Sequence, residues 1–304
     1  MNVPRTTSAG VALAVGTAVI SGLSVYLNGL FVKEFDDPLV LTTARNALVG
    51  IAFLVVLLAA RPGREIAALG TRQRVGLLVL PVLGGSIAFF LFFTGLAAAS
   101  GPGAAFIHKT LFVWVAILAV PLLGETLGWA QVVALGALVV GSLLLTPPGG
   151  IGLGGAELLL FAATLLWSLE VIVARALLPG VSVRLAASAR MALGAALMLA
   201  LLAIGGRIEG LLALSGYQWL IIVVTGTLLF GYVATWYGAL QRAPASTVTS
   251  VLVGGAVVTG LLAAASNGSL PAAPQTVGLV VIAAAAATFA WLSLQRRPRR
   301  ARAS

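Results

Sequence analysis

Residues 39–60 read Leu-Val-Leu-Thr-Thr-Ala-Arg-Asn-Ala-Leu-Val-Gly-Ile-Ala-Phe-Leu-Val-Val-Leu-Leu-Ala-Ala, an apolar run that holds one charged residue. A helix rises about 1.5 Å per residue, so about 20 such residues cross the hydrocarbon of a bilayer. The chain carries ten runs of this kind, near 10–32, 39–60, 75–98, 102–122, 128–145, 154–174, 183–204, 216–240, 245–265 and 275–294. The sequence therefore predicts an all-α integral membrane protein with ten transmembrane helices.

The composition excludes most other classes of protein. Hydrophobic residues make up 60% of the chain and charged residues only 9%, whereas soluble domains carry about 25% charged residues. Little chain remains outside the membrane to build a soluble catalytic domain. The absence of cysteine removes thiolate metal sites and cysteine nucleophiles. No phosphate-binding loop or zinc-protease motif occurs, so we expect no cofactor, no bound metal and no enzymatic activity.

The net charge of +10 is distributed in a pattern that predicts membrane orientation. If the N-terminus is cytoplasmic, the cytoplasmic segments hold thirteen of the eighteen basic residues and the outer gaps hold only Lys33 and Arg207. This asymmetry places both termini in the cytoplasm. The basic tail, residues 296–304, predicts contact with anionic lipid headgroups and not with nucleic acid. Sixteen arginines against two lysines indicate a GC-rich bacterial genome and hence an inner membrane.

The two halves of the chain repeat. Residues 44–50 read Ala-Arg-Asn-Ala-Leu-Val-Gly, and residues 189–194 read Ala-Arg-Met-Ala-Leu-Gly, at an offset of 145. Because each copy has an odd number of spans, the second inserts upside down, as in secondary transporters whose substrate binds between inverted repeats. The proline-rich residues 146–150 predict the boundary. The expected units are two five-helix repeats, 1–147 and 148–295, and the tail 296–304.

Two short motifs carry a family resemblance. Residues 121–127, Pro-Leu-Leu-Gly-Glu-Thr-Leu, close span four, and a Trp167-Ser168 pair lies in the first span of the second copy. Together with the repeat, these residues resemble the EamA family of the drug/metabolite transporter superfamily. Residues 267–271 read Asn-Gly-Ser-Leu-Pro where a second Leu-Gly-Glu would stand, so the second copy lacks its glutamate.

The resemblance implies gradient-driven export of a small molecule, amino-acid-like or drug-like, without nucleotide hydrolysis. It also implies a central cavity lined by spans one, three, four, six, eight and nine. We therefore predict an exporter that works by alternating access, with a small-molecule substrate and the lipid bilayer as partners. Proton or other ion coupling and a homodimer remain open. The alternatives are a polytopic membrane enzyme or sensor without transport, and a passive channel.

Charged residues inside the spans are the first site candidates, since such residues are expensive in hydrocarbon. Lys109 lies about 10 Å from the outer surface, and we predict a cavity cation that receives an anionic substrate group. The alternative is a lysine that snorkels or pairs with a carbonyl. His108 points about 100° away and is either a packed or rim residue or a proton carrier.

The other charges favour structural roles. Glu170 and Arg190 lie at equal depth in successive spans, which predicts an ion pair; proton coupling or binding of a substrate ammonium is the alternative for Glu170. Arg45, the repeat partner of Arg190, is expected to bond helix-end carbonyls across the repeat interface. Glu125 is expected to lock a helix end by binding a loop arginine or backbone N–H groups, with transport chemistry as the alternative.

The remaining candidates are polar or aromatic residues that share helix faces. Polar side chains of this kind form either helix–helix hydrogen bonds or a cavity lining, and aromatic ones either pack or form stacking walls. The cavity candidates in this group are Asn28, Trp167, Tyr232, Trp236 and Ser250. Two glycine pairs, at residues 84–85 and 254–255, mark expected hinges or close helix contacts.

Overall fold

Ten long helices form the described part of the computed structural model, which covers residues 7–99, 101–146 and 154–295. They are α1 (Thr7–Phe31), α2 (Pro38–Ala59), α3 (Thr71–Ala98), α4 (Gly103–Leu123), α5 (Trp129–Leu145), α6 (Gly155–Leu177), α7 (Val183–Ile204), α8 (Gly216–Arg242), α9 (Ala245–Asn267) and α10 (Ala273–Gln295). Nine are long and apolar enough to cross a membrane, and α5, with 17 residues, is shorter. The predicted all-helical membrane architecture is confirmed.

Local sequence signals fix several helix ends. Asp37 accepts a hydrogen bond from the Leu39 N–H, and Pro38 fills the first position of α2, where no N–H is needed. Ser215 and Gln218 form a reciprocal capping box at the start of α8. Gly124, at the end of α4, adopts φ 67°, a left-handed conformation that glycine tolerates without strain. The turn predicted at 146–150 lies, apart from Thr146, outside the described residues.

The helices pack in a pattern that repeats after five. α1 packs against α8 and α9, and its counterpart α6 packs against α3 and α4. α2 contacts α7, α4 contacts α9, and α5 contacts α10, so each of these helices meets its own counterpart. The packing is therefore that of two five-helix repeats related by a pseudo-twofold axis.

Two π-helical segments cross where α3 meets α7. The segments are Leu83–Ile87 in α3 and Ala189–Leu193 in α7. A Cβ atom added to Gly85 would lie 2.7 Å from the Arg190 carbonyl oxygen and 2.9 Å from Gly194 Cα. The two backbones thus touch at a point where no larger residue fits, which confirms a close helix contact at the first glycine pair.

α4 and α9 are interrupted at related positions. α4 is interrupted between Lys109 and Leu111, and α9 between Leu252 and Gly255. The interruption in α9 falls at the second predicted glycine pair. Discontinuous helices in corresponding positions of two repeats are typical of transporter binding sites.

Candidate functional site

Four aromatic side chains from three helices form a continuous surface that we call the aromatic wall: Phe89, Phe92, His108 and Trp167. The His108 ring lies 4.9 Å from the Trp167 ring and 5.4 Å from the Phe92 ring, measured between centroids. Trp167 is buried, whereas the side chain of His108 is exposed. His108 therefore contacts the wall and is partly accessible, and its role as a packed or rim residue or as a proton carrier stays a prediction.

The aromatic wall suits an organic ligand. The Trp167 ring meets the Phe89 ring edge to face and the Phe92 ring at a tilt. The wall therefore offers a ligand both ring faces and ring edges. Such walls stack against flat organic groups and cations. The Trp167 Nε1–H donates to the Gly84 carbonyl oxygen at 3.2 Å, which fixes the orientation of the indole.

A buried charge cluster lies next to the wall. Arg190 Nε is 3.3 Å from Glu170 Oε1, and the Tyr237 hydroxyl donates to the same oxygen at 2.6 Å. Arg190 Nη2 also donates to the Gly84 carbonyl oxygen at 3.2 Å. The predicted ion pair between Glu170 and Arg190 is thus present, and Glu170 is only 3% exposed. Sequence reasoning missed Tyr237, because nothing in an apolar helix indicates which side faces α6.

Gly84 connects the charge cluster to the aromatic wall. Its carbonyl oxygen accepts from both Trp167 and Arg190, and the side chain of Glu170 packs directly on its Cα. A side chain at position 84 would collide with Glu170. Gly84 belongs to the π segment of α3, and π segments are frequent at functional sites.

Two other candidates on α8 have a packing role in this structure. The Tyr232 and Trp236 rings stack with centroids 5.9 Å apart. Trp236 is buried within the largest hydrophobic core cluster, and Tyr232 packs against that cluster while partly buried. On α9, Ser250 is fully buried and its Oγ has no hydrogen-bond partner in the described part of the chain.

Lys109 and His108 face different neighbours. Lys109 Nζ donates to Thr146 Oγ1 at the end of α5, at 2.5 Å, whereas His108 contacts α3 and α6. Adjacent residues on a helix point about 100° apart. Because His108 contacts the aromatic wall, Lys109 points away from it. The contact resembles the paired alternative for Lys109, and its role as a cavity cation stays a prediction.

Arg45 has a partner other than the predicted one. Its Nη1 donates to Asn28 Oδ1 on α1 at 2.8 Å, and no described hydrogen bond joins it to a carbonyl of the second repeat. Helical side chains point toward the helix N-terminus, and for Arg45 that direction leads to the last turn of α1, where Asn28 lies. The predicted bond to helix-end carbonyls across the repeat interface is not among the described hydrogen bonds and stays a prediction.

Glu125 binds the first turn of α9. Its carboxylate accepts from the Ala245 N–H at 2.5 Å, the Ser246 N–H at 3.1 Å and the Ser246 hydroxyl at 2.6 Å. The expectation of a bond to backbone N–H groups is met, and the helix so bound belongs to the other repeat. A carboxylate there also complements the positive end of the helix dipole.

The two ends of the bundle differ in packing. Every residue from Ala245 to Val251 is buried, whereas Gly255 is the only buried residue in the second part of α9, Gly255–Asn267. Near the packed end, Arg175 Nη1 on α6 donates to the Leu240 carbonyl oxygen of α8 at 2.6 Å. α9 is therefore closely packed at the end that Glu125 binds, and its second part is more exposed.

Comparisons with known proteins agree with this architecture. The model of the EamA-like transporter family matches residues 8–146 and again residues 154–291. A solved structure described as "Crystal structure of protein" has a TM-score of 0.75 and 19% identity, over 94% of this chain and 98% of that one; at this identity the match shows the fold. No curated protein matches the chain. With two copies of the family pattern spanning most of its length, the chain belongs to the EamA-like transporter family.

Proposed function

We propose that this protein is a secondary transporter that exports a small organic metabolite across a bacterial inner membrane by alternating access. Membership of a transporter family supports transport, and the two-repeat packing supports alternating access, which needs two bodies that move against each other. The proposed substrate is amino-acid-like or drug-like and places an aromatic or cationic part on the aromatic wall. Lys109, Tyr232 and Ser250 remain candidates for further substrate contacts.

One observation carries the proposal: the aromatic wall, with the exposed side chain of His108, involves helices α4 and α6, whose other ends are bound to α9 and α8. An alternating-access transporter needs a ligand surface that is open toward one side and closed toward the other. The aromatic wall supplies the surface, and the contacts of Glu125 and Arg175 supply the closure. A passive channel would need an opening at both ends.

Flux across a membrane tests the function. Comparing culture media with and without overexpression identifies exported compounds, and the purified full chain is then reconstituted in liposomes with the compound that changes most. Counter-flow, the uphill uptake of label driven by unlabelled compound inside, is expected of a carrier. Flux without counter-flow would indicate a channel, and no flux of any compound would favour the enzyme or sensor alternative.

Replacing His108 with alanine is expected to lower transport about twofold to tenfold, since an aromatic contact contributes about 0.5–1.5 kcal/mol. The side chain is exposed, so the melting temperature is expected to change little. Trp129→Ala is the control, because Trp129 is 80% exposed at the start of α5, outside the wall. Equal transport by the His108 and Trp129 variants would show that the aromatic wall does not contact the substrate.

The proposed orientation is tested by reporter fusions. Fusions at Arg64 and after Ser304 are expected to report the cytoplasm, and fusions near Pro148 and Asn267 the external side. The reason is the excess of arginine and lysine, thirteen to two, in the segments assigned to the cytoplasm. A C-terminal fusion that reports the external side would contradict the proposal that both termini are cytoplasmic.

A further inference from the structure

Arg45 has a donor atom that no described group accepts. Its Nη1 donates to Asn28 Oδ1, but its Nε is buried and has no hydrogen-bond partner among the described residues. Buried polar groups in proteins are nearly always paired. The unpaired, buried N–H of the guanidinium therefore points to a bound ligand that accepts its hydrogen bond.

The second repeat shows what Arg45 lacks. Arg190, 145 residues later, is paired with the carboxylate of Glu170. Within the described ranges, no carboxylate lies within ion-pair distance of Arg45, and Asp37, at the start of the same helix, pairs with Arg207 instead. The charge of the second copy is thus neutralised inside the protein, and that of the first copy is not.

The side chains on α1 near Arg45 add donors and no negative charge. Asn28 uses its oxygen to accept from Arg45, and its NH₂ group is a further donor beside the guanidinium. Ser24 lies one turn earlier on the same face of α1, and its Oγ is buried without a partner. A guanidinium, an amide NH₂ and a hydroxyl on adjoining helices form a donor set suited to an anion.

We propose that Arg45, Asn28 and Ser24 bind the carboxylate group of the solute that this protein transports. The proposal rests on the transport function proposed above and assigns a chemical class to its substrate. The planar guanidinium fork matches the two oxygens of a carboxylate. The aliphatic stem of Arg45 lies beside Gly226 of α8, so the site lies among α1, α2 and α8.

Ligand-induced stabilisation tests the site without requiring flux. The purified full chain, in a neutral detergent, is melted with acetate, benzoate or phenylacetate and, separately, with acetamide, benzamide or phenylacetamide. At least one carboxylate is expected to raise the melting temperature above its amide, by about 3 °C at ten times its Kd. Arg45→Gln should abolish this difference, and Arg207→Gln, an exposed arginine in an ion pair, should keep it.

Two results would overturn the proposal: no carboxylate exceeds its amide with the wild-type chain, or Arg45→Gln keeps the full difference. If Arg45→Gln does not fold, Arg45→Lys replaces it. Lysine keeps the charge without the fork, so the difference should shrink, and an undiminished difference would contradict the proposed site.

A lipid phosphate is the other source of an anion. Nanodiscs of phosphatidylcholine and of phosphatidylglycerol separate the two sources. Stabilisation that depends on Arg45 and arises with phosphatidylglycerol, but with none of the soluble carboxylates, would assign the site to a headgroup and overturn the proposal. Carboxylate binding without flux of any compound would refute the transport function and leave the site intact.

Discussion

Replacing Arg190 with alanine is expected to destabilise the protein by about 3–5 kcal/mol, because the change leaves the Glu170 carboxylate buried without its partner charge. Glu170 is 3% exposed and the two groups are 3.3 Å apart. Glu170→Ala should act similarly, since the guanidinium then keeps only neutral neighbours. Denaturation of the purified variants in one detergent gives the free energies of unfolding.

The double variant decides whether the two losses share a cause. When both charges are absent, neither is left unpaired, so the double change should destabilise by less than the sum of the single changes. The exposed pair of Asp37 and Arg207 is the matched control, with an expected coupling of about 0–1 kcal/mol. Additive losses at Glu170 and Arg190 would contradict the ion pair as a stabilising unit and leave Glu170 free for proton coupling.

The depth of a residue along its membrane helix could be predicted from the sequence. The features of the fold and site that depend on depth were therefore predictable. The helix rise fixes how far a residue lies from the end of its span. The predicted spans and the pairing of Glu170 with Arg190 depend on depth alone. The structure contains this ion pair and ten helices, nine of which are long and apolar enough to cross a membrane. The glycine pair at 84–85 was recognisable because only glycine permits backbones to touch.

Rotation about the helix axis could not be predicted from sequence. Membrane helices are apolar on every side, so no amphipathic pattern indicates which face meets which neighbour. The adjacent residues His108 and Lys109 illustrate the difficulty: depth is the same, and only the rotation of α4 sends one to the aromatic wall and the other to α5. The contact of Tyr237 with Glu170 depends in the same way on the rotation of α8.

Glu125→Gln is expected to shift the conformational equilibrium toward opening of the packed end. The carboxylate accepts three hydrogen bonds from the first turn of α9, two from backbone N–H groups and one from Ser246. A glutamine of the same shape presents one NH₂ group, which cannot accept, and lacks the charge that complements the helix dipole. Hydrogen bonds to charged groups contribute about 1.5–3 kcal/mol, so even the lower value changes the ratio of open to closed molecules about tenfold.

The cysteine-free chain makes this shift measurable. A single cysteine in place of Ser250, which is fully buried near the packed end, reacts with a water-soluble maleimide only when that end opens. The labelling rate is expected to rise about tenfold when Glu125→Gln is added and to stay unchanged with Glu209→Gln, an exposed glutamate in another loop. An unchanged rate with Glu125→Gln would mean that the packed end is held by its buried apolar residues, and the Glu125 contact would then be a helix cap without a role in gating.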